Sequence, residues 1–193
     1  MQNYNIPFIY INRYYNKNNL FTVSIDRSKA CNDMAEYLIN LGHENLLYVT
    51  YEDDDKYSVE INKIEGYNKA IQNKNKNGFI YYAKGFTIQD GYDMGQSVIE
   101  FVKKNDITAI FCGHDEMAIG LMSYCYDNNI RVPEDISICG FGDKKIASIY
   151  RPRLTTIREP FYDIGAVAIR SVIKKINGHE LKEDKLLLPF QIM

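Results

Sequence analysis

The stretch Met34-Ala-Glu-Tyr-Leu-Ile-Asn-Leu-Gly-His-Glu-Asn-Leu-Leu-Tyr-Val-Thr50 changes its period in the middle, and that change decides the fold. Met34, Leu38 and Leu41 recur at three- and four-residue spacing, which puts them on one face of a helix. Gly42 follows as a stop, because helices commonly end on a residue that accepts a left-handed backbone. Residues 46–50 are then a short apolar, aromatic and β-branched run, the pattern of a strand covered on both faces. Working outward, residues 8–11, 22–25, 78–82, 109–112 and 136–139 also read as strands. Helical faces lie between them: Ile64, Tyr67 and Ile71; Gly95, Val98 and Val102; Ala118, Leu121, Met122 and Cys125. Strands alternating with helices imply βαβ units and a parallel sheet flanked by helices, an α/β fold.

Past Phe141 the pattern changes. Tyr150-Arg-Pro-Arg-Leu-Thr-Thr-Ile157 reads as an extended, proline-marked crossing. A helix follows with Ile164, Val167, Ala168, Ser171 and Val172 on one side and Gly178 as its stop, and residues 186–192 read as a final strand.

The 193 residues are 46% apolar and 25% charged, the balance of a soluble globular domain with a sizeable core. A net charge of -2 and a pI near 5.9 give no basic face for gripping nucleic acid directly. No apolar run approaches the roughly 18 residues a membrane span needs, and residues 1–11 lack the basic and apolar regions of a signal peptide. The expected location is the cytoplasm. Cys31, Cys112, Cys125 and Cys139 form no CxxC pair and each sits in an apolar stretch, so they read as reduced core thiols. The acidic run Glu52-Asp-Asp-Asp55 lacks the alternating spacing of a calcium loop and reads as a solvated loop.

Open α/β sheets hold ligands outside the carboxyl ends of their strands, so candidate site residues should follow strands. Phe86 does: its flat apolar face suits a sugar ring or a base, the plainer role being packing at the start of a helix. His114 and Asp115 close the strand at residues 109–112 and open the next helix, where Asp115 suits an N-cap. Asp143 follows the strand at residues 136–139. Lys63 lies on the helix carrying Ile64 and Tyr67. His43 follows a helix stop and reads as capping and strand entry, and His179, beside the Gly178 stop, reads as solvated. No nucleophile elbow, zinc-protease helix motif or phosphate loop is present; nothing implies an enzyme, a cofactor or a metal.

Four segments in order resemble the LacI/GalR regulators. Leu38-Ile-Asn-Leu-Gly-His43 is similar to the family's L-x-x-x-G-H, and Lys63-Ile-Glu-Gly-Tyr67 to R-x-x-G-F. Thr108-Ala-Ile-Phe-Cys-Gly-His-Asp-Glu-Met-Ala-Ile-Gly120 is similar to T-A-x-x-x-x-N-D-x-x-A-x-G. Ile130-Arg-Val-Pro-Glu-Asp-Ile-Ser-Ile-Cys-Gly-Phe-Gly-Asp143, with Pro152-Arg-Leu-Thr-Thr-Ile157, resembles V-P-x-D-I-S-x-x-G-F-D-D and P-x-L-T-T-I. The resemblance implies a periplasmic-binding-protein-like fold of two lobes with a small-molecule effector, a sugar or nucleoside-like ligand, in the cleft between them. It implies a helix-turn-helix headpiece and first lobe units lying upstream of this chain, DNA contact only through that headpiece, and a homodimer. Residues 28–149 would form the complete C-terminal lobe, with 1–27 and 150–193 in an incomplete N-terminal lobe. Transport-type sugar-binding proteins share the architecture and stand as the alternative. The resemblance further implies ligand contacts from Phe86, Lys63, His114, Asp115 and Asp143. Three departures bear on them: Lys63 stands for an arginine and lacks its planar fork, His114 stands for an asparagine, and Gly142 replaces the first of two paired acids.

Overall fold

In the computed structural model the described residues are 6–12, 21–52, 59–179, 181, 183 and 185–193. The chain runs β1 (Tyr10–Ile11), β2 (Thr22–Ile25), α1 (Arg27–Asn40), β3 (Asn45–Tyr51), α2 (Val59–Lys74), β4 (Asn77–Ala83), α3 (Ile88–Asp93) and α4 (Gly95–Lys104). It continues through β5 (Ala109–Cys112), α5 (Asp115–Asp127), β6 (Ser137–Gly142), α6 (Lys145–Ile149), β7 (Thr155–Arg158), α7 (Phe161–Ile176), β8 (Lys185–Leu188) and β9 (Gln191–Ile192). Two sheets result: a six-stranded one ordered β4-β3-β5-β6-β7-β9 and a three-stranded one ordered β1-β2-β8. All pairings are parallel except that of β7 with β9.

Side chains of a strand alternate between faces, and both faces of the large sheet are covered. Leu46 and Tyr48 of β3, Phe111 of β5 and Phe141 of β6 pack with Met34 and Leu38 of α1, Tyr67 of α2, and Val23 and Ile25 of the small sheet. Leu47 and Val49, Ile110 and Ile138 pack on the other side with Val98 and Val102 of α4 and Leu121 and Cys125 of α5. Leu41 was expected on the buried face of α1 but is exposed, since it caps the helix from beyond its last turn. Gly42 and Gly178 take the positive φ of helix stops. At Gly66 a Cβ would sit 1.9 Å from the Ser28 carbonyl oxygen, so only glycine lets α2 lie this close to the start of α1. Asp26 starts α1, accepting from the Lys29 N–H at 2.9 Å.

The carboxyl-terminal quarter departs from the sequence reading in two places. The expected crossing at residues 150–157 contains a strand, β7, that pairs in register with β6 from Cys139↔Thr155 to Gly142↔Arg158. The single expected strand at 186–192 is two: β8 joins β2, and β9 joins β7 across Pro189-Phe190. Proline has no N–H for a ladder, which breaks the run. Sheet membership in residues 150–193 is therefore shared, with β7 and β9 in the large sheet and α7 packed on β1 and β2. Among the described residues no helix is long and apolar enough to cross a membrane.

Candidate functional site

The carboxyl ends of β3, β4, β5 and β6 face one edge of the large sheet, because parallel strands all point the same way. Tyr51 ends β3, Phe86 follows β4 by three residues, and Gly113 and His114 follow β5. Their rings form a wall: Tyr51 to Phe86 5.0 Å, Phe86 to His114 5.1 Å and Tyr51 to His114 5.6 Å between centroids. Phe86 is 44% exposed, so it is no core aromatic. Thr87 caps α3 through a capping box with Asp90, and the fourth helical residue, Gly91, has no side chain for Phe86 to staple.

Behind the wall lies a buried charged floor. The Lys63 ammonium donates to Glu60 Oε1 at 2.7 Å and to the Gly113 carbonyl at 2.9 Å, and it lies 4.4 Å from the Phe141 ring centre. Glu60 Oε2 accepts from the Thr50 hydroxyl at 2.7 Å, and Oε1 lies 3.2 Å from His114 Nε2. Glu60 and Lys63 are each 2% exposed. Burial alone would raise the Glu60 carboxyl; the His114 hydrogen bond and the Lys63 charge outweigh it and hold the group down at about 2. Burial pushes the His114 imidazole below its ordinary value, against the pull of the Glu60 hydrogen bond, and keeps the ring neutral at pH 7.

The five residues singled out in the sequence fall into two groups. Phe86, His114 and Lys63 converge on wall and floor. Asp115 does not act as an N-cap: His114 holds that position, without a side-chain bond, and Asp115 is the first helical residue. Its fully buried carboxylate accepts from the Thr156 hydroxyl on β7 and from the Lys144 backbone N–H at 2.7 Å, joining α5 to the loop after β6. Burial raises its carboxyl despite those two bonds. Asp143 is bound by Arg158 of β7. Gly142 has φ +130°, where an L side chain is strained, and its Cβ would stand 3.5 Å from Asp115 Oδ2. An acid at this position would meet both strain and a second buried carboxylate.

Sequence reasoning missed Glu60, Thr50 and Tyr51. The signal was there for Glu60, three residues before Lys63 on one helix face, and for Tyr51, the last residue of its strand. Of the acidic run at residues 52–55, positions 53–55 lie outside the described residues. All four cysteines are free and buried, and burial pushes Cys125 up to about 11. His43 Nδ1 meets Thr108 Oγ1 at 2.8 Å, a structural tie.

Two sheets, parallel but for the β7–β9 pair, the larger carrying aromatic and buried charged groups along its carboxyl edge, define a periplasmic-binding-protein-like domain. Residues 35–193 match the family model described as a periplasmic binding protein-like domain, and the chain belongs to that family. Catabolite control protein A of Priestia megaterium is 31% identical over 97% of this chain and 56% of its own length. The HTH-type transcriptional regulator RegA of Clostridium acetobutylicum is 36% identical over 89% of this chain and 51% of its own. The chain thus spans about half the length of the curated relatives it matches, and those relatives are transcription regulators, in keeping with the LacI/GalR resemblance. In fold, the LacI family regulator from Enterococcus faecium, solved with bound ribose, superposes with a TM-score of 0.85 at 22% identity, covering 97% of this chain and 68% of that one.

Proposed function

We propose that this chain is the effector-sensing part of a LacI/GalR-type transcription regulator, binding a sugar- or nucleoside-like ligand at the carboxyl edge of the large sheet. The carrying observation is the wall of Tyr51, Phe86 and His114 over the Glu60–Lys63 floor: a ring can stack on Phe86 while its polar groups meet His114. Phe86 and His114 contact the ligand, Asp143 borders it, and Lys63 and Asp115 hold the surrounding groups in place. The relatives' regulator names, and the ribose in one structural neighbour, favour sensing over transport and over catalysis. A regulator of this kind works in the cytoplasm, where its DNA lies, and reaches DNA through a headpiece. Ligand binding must favour one arrangement of the two sheets to be felt there.

A thermal-shift panel of pentoses, hexoses, nucleosides and bases tests the reading. A ligand at a hundred times its Kd adds about 2.7 kcal/mol, roughly a 5–10 °C rise in a chain of this size. Phe86→Ala, at a half-exposed position, should abolish that rise while leaving the unliganded Tm nearly unchanged; a retained rise would remove Phe86 from the site. For a homodimer, a candidate surface is the hollow of about 670 Å³ where Met122, Tyr126, Ile130, Val132 and Tyr150 meet the polar and charged Asn129, Arg131, Glu134 and Arg151, with Tyr126 81% exposed. Sedimentation velocity reads that state directly, and a monomer at high protein concentration would count against it.

A further inference from the structure

We infer that Arg27 and Glu159 are positioning residues: their buried pair holds the angle between the two sheets, and α2 ties that angle to the ligand site. The tie to the ligand rests on the site proposed above. Three passages of chain join the sheets, after β2, after β7 and after β8. The first turn of α1 lies in the first passage and touches the other two. Arg27 bonds Glu159, one residue past β7, and the Lys29 ammonium lies 5.9 Å over the ring of Phe190, between β8 and β9. Arg27 also donates to the Ser24 hydroxyl of β2 at 2.6 Å, so the same guanidinium holds the small sheet.

A guanidinium is a planar fork whose bonds to a carboxylate have a fixed geometry. Side-chain exposures of 7% and 8% leave neither partner enough water to replace the other. A rotation of one sheet on the other that parted them would strand two buried charges. The pair therefore favours one arrangement of the sheets.

The same turn of α1 seats the helix of the site floor. A Cβ on Gly66 of α2 would stand 1.9 Å from the Ser28 carbonyl oxygen, and Arg27 shares a hollow of about 30 Å³ with Val59 and Asn62 of α2. Glu60 and Lys63 lie on that helix. Burial lowers the Arg27 guanidinium from its ordinary value, and the charges of Glu159 and, more weakly, Glu60 oppose that shift. A ligand that moves α2 thus presses on the turn that carries the Arg27–Glu159 pair.

Distances between two spin labels on the 193-residue chain test this without a ligand. Lys103→Cys on α4, packed on the large sheet, and Lys174→Cys on α7, packed on the small one, are exposed positions on either side of the hinge. The four native cysteines are buried and do not compete for label. The labelled parent should give one narrow distance. The Arg27→Met, Glu159→Leu double variant strands neither charge, and its distribution should be about twice as wide, since a hinge without the fork has no fixed geometry. An unchanged distribution in a double variant with native circular dichroism overturns the positioning role. With the pair intact, Gly66→Ala should move the main distance and Gly165→Ala should not. A Gly66→Ala chain with the parent's distance would cut the tie between α2 and the hinge while leaving the role of the pair standing. Failure of every ligand in the thermal-shift panel would remove the site but not these distances, so the two readings fail separately.

Discussion

At the scale of single residues, the site is a problem of burying charge. Lys63, Glu60 and His114 are separated by as many as 54 positions in the chain, yet they share one buried network. Its pH behaviour has a definite sign. In the folded protein His114 resists protonation, so as pH falls below its ordinary value of 6.5 the unfolded chain gains a proton the folded one refuses, and stability drops. Glu60 adds a second loss between its ordinary 4.5 and the folded value of about 2, over which only the unfolded state takes up a proton. Both contributions are complete at neutral pH. Asp115, whose carboxyl is raised by burial, acts in the opposite direction, so comparison of variants is needed to isolate each group. Thermal melts from pH 7.5 to 3 should show Tm falling from about pH 6.5 downward, with His114→Gln flattening the upper limb. Parallel curves for variant and parent across that limb would show that His114 is not held neutral.

At the scale of elements, close approach controls how the site is assembled. Glu60 and Lys63 ride on α2, and α2 is seated against α1 at Gly66. Gly66→Ala forces a methyl group onto the Ser28 carbonyl, so helix backbone must move. Overpacking of this kind costs about 1–3 kcal/mol, and Tm should fall by roughly 2–12 °C. Because the same shift displaces Glu60 and Lys63, ligand affinity should fall with it, whereas Gly165→Ala, where a Cβ meets nothing within 4 Å, should leave affinity unchanged. Melts and titrations of the two variants side by side test this, and equal affinities would uncouple the α1–α2 seat from the site. β7 belongs at this scale too: Thr156 reaches Asp115 from a strand, so a segment read as a connection helps to fix the edge of the site.

Across the whole molecule, the two sheets are joined by three passages of chain, after β2, after β7 and after β8. Arg27, just after β2, is bonded to Glu159, just after β7, and also donates to Ser24 at 2.6 Å. Both partners of the ion pair are nearly buried, at 7% and 8% side-chain exposure. Removing one partner of such a pair strands the other and costs about 3–5 kcal/mol, whereas replacing both with apolar groups is close to neutral. Urea unfolding should therefore find Arg27→Met strongly destabilised and the Arg27→Met, Glu159→Leu double variant largely restored; additive losses would mean that the two side chains act independently.

Local periodicity determined much of this protein. The 3.6- and 2-residue patterns around residues 34–50 set a parallel α/β layering, and turn chemistry placed the helix stops at Gly42 and Gly178. Parallel layering puts the strand ends on one edge, so Phe86 and His114 are legible as neighbours there, whereas Lys63, inside a helix, is singled out only by the family resemblance. Tertiary structure alone decided the rest. That β7 and β9 enter the large sheet depends on hydrogen bonding to β6 and to each other, which short polar and proline-bounded runs do not announce. That Asp115 turns inward depends on Thr156, 41 residues away. That Lys63 is buried, when a helix lysine is ordinarily solvated, depends on Glu60, Gly113 and Phe141 meeting around it. Sequence spacing fixes which face of an element a residue occupies; only the packing of elements fixes which charges end up out of water, and there the cost of burial dictates their partners.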